Sequence, residues 1–444
     1  MLEEYPITGR RAAEIAQSVE RAVGAGSLEP GAPLPPMREL AARLGVNPHT
    51  VAAAYRTLRE RGVVESAGRR GTRVRPRPVT TAREMPMPEV PPGVRDLTKG
   101  GPDPVLLPPL SEAFARAAAA YDARPVEYGD APVDPGLAAH ARAELDADGV
   151  PAGPVAVTSG ALDAMERVLA ARLRPGDAVA VEDPGWSSFL DLVPALGLVP
   201  APFAVDDEGP LPESVDRALA SGARALVVTS RAQNPTGAAV TGPRAKRLRA
   251  VLARHPGVLL VEDDHGHGIV DEPLCSLAPA AERWALARST SKAYGPDLRL
   301  AVLTGDAVTV DLVEGRQRLG PGWVSRLHQR AVLEVWRARA GAAPTVAASY
   351  GHRRNALIRA LAARGIPARG RTGMNVWVTV PDETAAVARL LHAGWAVTPG
   401  ARYRSGGGGH AVRITVSPLT AVDIEPLADA VAAAVSSAPA RRYD

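Results

Sequence analysis

The chain is poor in lysine, cysteine and aromatic residues. Only three of its 52 basic residues are lysine, namely Lys99, Lys246 and Lys292; the rest are arginine. A single cysteine, Cys275, excludes a disulfide within the chain and fits a reducing, cytoplasmic compartment. No apolar run has the length that crosses a bilayer, and Met1 to Arg10 lacks the apolar region of a secretory signal, so no membrane partner is expected. With 444 residues, 46% of them hydrophobic, there is ample material for a core and for two or three structural units. Acidic residues are scarce at one end. Residues 1–78 hold thirteen arginines, no lysine and eight acidic residues, a surplus of five, whereas the whole chain carries only +4. The basic excess therefore lies in the N-terminal segment, as expected where one module meets a phosphate backbone and the other does not.

Three helical patterns fill that segment. Arg11 to Ala25 places Ile15, Val19 and Ala22/Val23 on one face; Met37 to Leu44 does so with Leu40, Ala41 and Leu44; Pro48 to Arg61 with Val51, Ala54, Tyr55 and Leu58. Only Gly45-Val46-Asn47 separates the second from the third. Gly45 suits a left-handed helix end, Asn47 can cap the next helix, and Pro48 fits its first turn. The spacing predicts a helix-turn-helix. Two short apolar runs, Gly62 to Ser66 and Thr72 to Arg75, then flank a turn that carries Arg69 and Arg70, and read as a β-hairpin wing placed for phosphate or minor-groove contacts. The segment resembles the GntR-type winged helix-turn-helix through Leu34-Pro35-Pro36-Met37-Arg38-Glu39-Leu40-Ala41, Leu44-Gly45-Val46-Asn47, His49-Thr50-Val51, Ala54-Tyr55, Leu58 and Gly71-Thr72. The resemblance implies that Arg38, Asn47, His49, Thr50 and Arg56 face double-stranded DNA, joined by Arg69, Arg70 and Thr72 of the wing. Pro36 stands where many relatives carry serine, so one helix-capping hydroxyl is absent.

Pro76, Pro78, Pro86, Pro88, Pro91 and Pro92 crowd the next stretch, and proline disfavours both helix and central strand. We read residues 1–75 as the DNA-binding domain, 76–95 as a semi-extended linker and 96–444 as a second domain.

That second domain alternates short apolar runs with helical patterns. Val155 to Thr158, Ala178 to Val181, Ala225 to Thr229, Val258 to Val261, Trp284 to Ala287 and Leu300 to Leu303 read as buried parallel strands; helices are expected near 161–172, 213–221 and 241–255. The pattern predicts an α/β sheet, whose ligands sit at the carboxyl ends of strands. Chemistry-bearing residues lie at those ends. Thr158-Ser159-Gly160-Ala161 opens a helix as an anion site. Trp186 can stack on a flat heterocycle. Asn234, in Gln233-Asn234-Pro235-Thr236-Gly237, can donate to a phenolate-like oxygen. A carboxylate of Glu262-Asp263-Asp264-His265 can pair with a pyridinium N–H. Lys292 follows Ser289-Thr290-Ser291, with Arg299 seven residues on. In so arginine-biased a chain, a lysine kept here points to amine chemistry that arginine cannot perform, and pyridoxal phosphate requires such an amine together with hydroxyls and a guanidinium for its phosphate.

In this order the motifs resemble fold-type I aminotransferases over essentially all of 96–444, implying a large mostly parallel sheet and a smaller α+β subdomain. By that resemblance Lys292 forms the Schiff base with pyridoxal phosphate, Asp263 pairs with its ring nitrogen, Asn234 bonds its ring hydroxyl and Trp186 stacks on the ring. Ser159, Gly160, Ala161, Ser289, Ser291 and Arg299 hold the phosphate. Arg413, in Val412-Arg413-Ile414-Thr415, grips a substrate or effector carboxylate. Tyr128, in Tyr128-Gly129-Asp130, is contributed across the interface of a head-to-tail homodimer. His265 departs from the pattern, because relatives carry there a tyrosine that bonds the ring hydroxyl; a neutral imidazole can still donate one such bond. His265-Gly266-His267 beside two aspartates could suggest a metal, but Asp263 already has a role and no metal site is expected. Arg404 to His410, with four glycines, reads as a mobile lid beside the carboxylate grip.

The two-part chain resembles the MocR/GabR regulators. The expected function is DNA-operator binding controlled by pyridoxal phosphate, or by an amino-acid or amine effector, at Lys292; the alternative is a working aminotransferase with an accessory DNA-binding domain.

Overall fold

The computed structural model describes residues 7–24, 27–29, 31–60, 63–66, 71–75, 90–339, 341–406 and 408–436. Arg69 and Arg70 of the wing, and 76–89 of the linker, lie outside them. Two compact units separate: Met1–Ala82 with Leu173–Ala178 and Asp191–Val199, and Arg83–Arg172 with Val179–Leu190 and Pro200–Asp444.

The N-terminal elements are helices α1 (Ala12–Gly24), α2 (Met37–Leu44) and α3 (Pro48–Glu60), then strands β1 (Val64–Ser66) and β2 (Thr72–Val74), paired antiparallel. The apolar stripes read from the sequence meet in one core of Ile15, Val19, Leu40, Ala41, Val51, Ala54, Tyr55 and Leu58, closed by Val64 and Val74 of the wing. Gly45 ends α2 at φ 65°, a left-handed conformation that costs glycine little. Asn47 Oδ1 accepts from the His49 amide at 2.8 Å and so caps α3. Pro36 supplies no cap to α2. The Tyr55 hydroxyl donates to the Pro35 carbonyl at 2.8 Å, which fixes the entry to α2 against α3. The segment 31–34 also pairs with β2, through the Leu34 amide on the Thr72 carbonyl and the Val74 amide on the Ala32 carbonyl.

In the larger unit, β3 (Arg95–Asp96) precedes an eight-stranded sheet. Its strands are β4 (Val155–Thr158), β5 (Ala178–Asp183), β6 (Val199–Asp206), β7 (Gly209–Pro210), β8 (Ala223–Thr229), β9 (Leu259–Asp264), β10 (Arg283–Ser289) and β11 (Ala301–Gly305). The order is β4-β11-β10-β9-β8-β5-β6-β7. All six expected runs are strands, and helices Ala161–Arg172, Pro212–Ala220 and Gly242–Leu252 fall at the expected places. One expectation needs correction. Leu300 to Leu303 is not a parallel strand: β11 runs antiparallel to both β10 and β4, so the sheet is mixed. Only residues 290–300 separate β10 from β11, too few for the helical crossover that returns a chain in parallel, and they carry a helix of just four residues, Ser291–Tyr294.

A second sheet is antiparallel, with β12 (Ala368–Arg369), β13 (Asn375–Thr379), β15 (Thr398–Pro399) and β16 (Ala411–Thr415) in the order β12-β13-β16-β15. It sets Arg413 at its centre, opposite Trp377 and Thr398. Strand β14 (Trp395–Ala396) pairs in parallel with β3, so Arg95, the last residue of the expected linker, is already part of a sheet. Among the described residues no helix is long and apolar enough to cross a membrane.

Leu58 is fully buried in the N-terminal core. Leu58→Ala is expected to remove about 2–5 kcal/mol from that unit. In denaturant melts of the full chain the winged-helix transition should move to lower denaturant while the transition of the sheet-bearing unit stays in place.

Candidate functional site

The carboxyl ends of β5, β8, β9 and β10 open into one cavity of about 1270 Å³, larger than the roughly 300–1000 Å³ of most small-molecule sites. Trp186, Asn234, Asp263, His265, Ser289, Ser291, Lys292, Arg299 and Arg413 all line it, as does Ala161 at the start of its helix. Residues expected to act together are thus together, although they span more than 250 positions of sequence. Ser159 and Gly160 stand behind the lining. The Ser159 carbonyl accepts from Arg299 Nη2 at 3.2 Å. Gly160 is at φ 109°, a conformation L side chains rarely adopt, and a Cβ there would meet Arg299 Nη2 at 2.8 Å. Tyr128 is elsewhere. It is 96% exposed, edge-on to Trp323, and does not line the cavity of its own chain.

Two carboxylates end β9, and they face different surroundings. Asp264 is fully buried. Arg231 grips it through Nε at 2.8 Å and Nη2 at 2.9 Å, and Arg288 Nε adds a third bond at 2.9 Å. Burial alone would raise this carboxyl, but the two guanidinium groups outweigh it and hold it well below the usual range. Arg288 reaches on to Asp148. His267 belongs to this network, close to Asp148 and Asp264, and burial together with Arg288 pushes its imidazole down to about 3. The two histidines of His265-Gly266-His267 therefore serve different places, and the acids near His267 are held by arginines.

Asp263 lines the cavity. Its Oδ2 bonds His265 Nδ1 at 2.9 Å, while its Oδ1 is buried with no hydrogen-bond partner among the described residues. An unpartnered buried acceptor costs about 1–3 kcal/mol, which a ligand N–H would recover. The His265 Nε2 bonds the Ala232 carbonyl at 2.8 Å. Both ring nitrogens are engaged, so the imidazole has no donor left for a ligand, contrary to the expectation from sequence. Behind Asp263 the Glu182 carboxyl accepts from the Thr229 amide, the Thr229 hydroxyl and Gln233 Nε2 at 2.9–3.0 Å; burial pushes it up to about 7.

The remaining polar groups are held by backbone that sequence reasoning missed. Lys292 Nζ donates to the Gly100 carbonyl. Arg413 donates from Nη2 to the Thr98 carbonyl and, at 3.3 Å, to the Thr398 hydroxyl; its Nη1 meets Asn234 Oδ1 at 3.1 Å. Gly100 is at φ 58°, with space for a Cβ blocked by the Arg413 guanidinium at 2.9 Å. Asp96, Lys99, Arg402 and Tyr403 add to the lining. The only sequence signals for this strap were the glycine pair Gly100-Gly101 and one of the three lysines, Lys99. At the glycine-rich segment, Arg404 and Ser405 bond Asp183 at 3.4 and 3.0 Å.

In the N-terminal winged helix, Arg38, Asn47, His49 and Arg56 are exposed, and Thr50 and Thr72 are half-buried. His49 and Arg56 lie seven residues apart on the face of α3 opposite the buried Val51, Ala54, Tyr55 and Leu58.

Comparison with known proteins assigns both parts. Residues 11–74 match the family described as bacterial regulatory proteins, gntR family, and residues 137–431 match aminotransferase class I and II. The chain is 40% identical over 430 residues to the vitamin B6 salvage pathway transcriptional repressor PtsJ of Salmonella typhimurium, covering 95% of this chain and 98% of that one. It is 30% identical over 278 residues to the pyridoxine biosynthesis transcriptional regulator PdxR of Corynebacterium glutamicum, covering 60% of each. Among solved structures, aspartate aminotransferase from Thermus thermophilus with maleate is similar with a TM-score of 0.67 at 27% identity, over 77% of this chain and 91% of that one.

Asp264→Asn is expected to leave two buried guanidinium groups short of countercharge, at a cost of about 3–5 kcal/mol. The midpoint of chemical denaturation should fall. A carboxyl depressed in the fold stabilises it above its unfolded value of 3.8 and loses that contribution only as pH falls through its folded value. The deficit of the variant should therefore be full at neutral pH and shrink only in strong acid.

Proposed function

The chain belongs to the MocR/GabR-type regulators, a GntR winged helix-turn-helix fused to a class I and II aminotransferase domain with pyridoxal phosphate as cofactor, and we propose that it regulates vitamin B6 supply by sensing that cofactor at Lys292. The observation that carries the reading is Asp263, which lines the cavity that also holds Lys292 and whose buried Oδ1 has no hydrogen-bond partner among the described residues. Pyridoxal phosphate supplies an aldehyde that condenses with an amine, together with a pyridine nitrogen, a ring hydroxyl and a phosphate.

The residues present fit such a group. Lys292 is the amine. Asp263 Oδ1 is a buried acceptor for a ring N–H, and a carboxylate there favours the protonated ring. Asn234 turns its Oδ1 to Arg413 and so keeps its amide hydrogens for the ring hydroxyl. Trp186 supplies an aromatic surface. Ser289, Ser291 and Arg299, with the amides that open the helix at Ala161, would hold the phosphate. Arg413 would take an effector carboxylate in a bidentate pair. Tyr128, exposed on its own chain, would complete a partner's site in a head-to-tail homodimer. Arg38, Asn47, His49, Thr50, Arg56 and Thr72 would meet operator DNA.

Occupancy also has a route out of the cavity. The carbonyls of Thr98 and Gly100 hold the Arg413 and Lys292 groups that ligands would claim. Condensing an aldehyde with Lys292, or seating a carboxylate on Arg413, would compete with the carbonyls of the strap 96–101. That strap continues N-terminally into the linker and the DNA reader.

Added pyridoxal phosphate should shift operator affinity about 5–150-fold, the range of 1–3 kcal/mol of coupling. Fluorescence anisotropy on labelled operator DNA reads this shift. Lys292→Ala should bind DNA and lose the response; an unchanged response in that variant overturns the sensing role, and keto-acid formation over many turnovers by the wild type overturns a regulator-only reading. Separately, Arg56→Ala should weaken DNA binding and lower the slope of log affinity against log salt by about 1, as loss of one phosphate contact requires.

A further inference from the structure

The His265 ring is bonded at both nitrogens, and both partners accept. The Ala232 carbonyl, 2.8 Å from Nε2, has no hydrogen to give, so Nε2 carries one. The Asp263 carboxylate, 2.9 Å from Nδ1, is likewise an acceptor when ionised, so Nδ1 carries the other. The ring that satisfies both is imidazolium. Burial and the nearby Lys292 ammonium push its pKa down, yet Asp263 outweighs them and the net shift is upward. With both N–H groups spent, His265 has nothing to offer the ring hydroxyl of a cofactor. Asn234 is the remaining donor expected for that oxygen.

We infer that His265 is a positioning residue for Asp263, locking its Oδ2 in a charge-assisted bond while Oδ1 stays directed to the ligand, and that it leaves the cofactor's ring hydroxyl to a single donor, Asn234. For the cofactor the inference rests on the reading above; for the Asp263–His265 pair it stands on the free protein. The arrangement has two consequences. The aspartate keeps its orientation before any ligand arrives, so the acceptor is preorganised. The ring oxygen, with one donor in place of two, is a stronger base, because each donor removed disfavours its ionised form. A hydroxyl introduced at position 265 adds the missing donor.

The test is proton NMR of the full chain in the far-downfield region, with and without pyridoxal phosphate, beside His265→Tyr and His265→Phe. The expected result is a histidine ring N–H resonance that is lost in both variants and present in the free wild type. It should keep its position on loading with pyridoxal phosphate, and persist to pH well above the ordinary imidazole range. A resonance that moves or vanishes on loading would mean that His265 turns to the cofactor, and overturns the inference. So does its absence from the free wild type. Visible absorbance then reads the second half: the band of the loaded protein should titrate at lower pH in His265→Tyr than in His265→Phe, which differ only in the hydroxyl, and equal titration overturns it. If no visible band forms on addition of pyridoxal phosphate, the sensing role fails, and the resonance of the free protein still decides the role of His265.

Discussion

A strand turns successive side chains to opposite faces, and that constraint governs the end of β9. It sends Asp264 into the interior, where Arg231 and Arg288 surround it, and sends Asp263 to the cavity. Two neighbouring carboxylates thereby meet opposite environments. One is neutralised completely, with three bonds from two guanidinium groups. The other keeps one oxygen without a hydrogen-bond partner among the described residues. Were the register of β9 slipped by one residue, the arginines would face the cavity carboxylate and the acceptor would be lost. The buried ion network is accordingly less a source of net stability, since such pairs roughly offset their own desolvation, than a device that fixes which aspartate looks outward.

The same logic explains the strap. A cationic lysine and a cationic arginine in one cavity need acceptors when no ligand is present, and the chain provides backbone carbonyls from Thr98 and Gly100. Backbone acceptors are neutral and can be displaced by a carboxylate, which bonds a guanidinium more strongly. Glycine suits position 100 because its φ of 58° costs glycine little and a Cβ there would meet the Arg413 guanidinium at 2.9 Å. The strap is therefore a placeholder held by close approach and by the Asp96 carboxylate, which accepts from the Thr98 amide at 2.9 Å and the Thr98 hydroxyl at 2.5 Å.

That distinction decides what the sequence could reveal. Side chains with a chemical role at strand ends were legible: Asp263, Asn234, Trp186, Arg299 and Lys292 follow apolar runs that only a buried sheet explains, and they do share one cavity. The winged helix was legible to within a residue or two because its helices carry clean apolar stripes and a glycine stop. Strand β6 was not, since Pro200 and Pro202 interrupt it and little beyond Phe203 and Val205 turns inward. The antiparallel course of β11 depends on the length of a turn rather than on composition. The Thr98 and Gly100 carbonyls are backbone groups, signalled at most by the glycine pair Gly100-Gly101 and by Lys99. His265 could be flagged as unusual, but its loss of donor capacity depends on the position of the Ala232 carbonyl, 33 residues away in sequence.

A regulator and an enzyme ask different things of one cavity. An enzyme needs a cofactor whose electronics change during a reaction and reset, and it gains from every donor that steadies a developing charge. A regulator needs a cofactor that binds differently in two states of the protein, because a ligand shifts an equilibrium only by its differential affinity. Here Lys292, Asp263 and Asn234 share one cavity, His265 has both ring nitrogens bonded within the protein, and the segment whose carbonyls hold Lys292 and Arg413 continues N-terminally toward the winged helix. Reciprocity then follows: whatever factor the cofactor imposes on DNA affinity, DNA imposes on cofactor affinity. In the proposed role, a fold that held the cofactor while releasing the strap would meet that requirement without a turnover step, because cofactor and effector would compete with the two carbonyl bonds that the strap makes to Lys292 and Arg413.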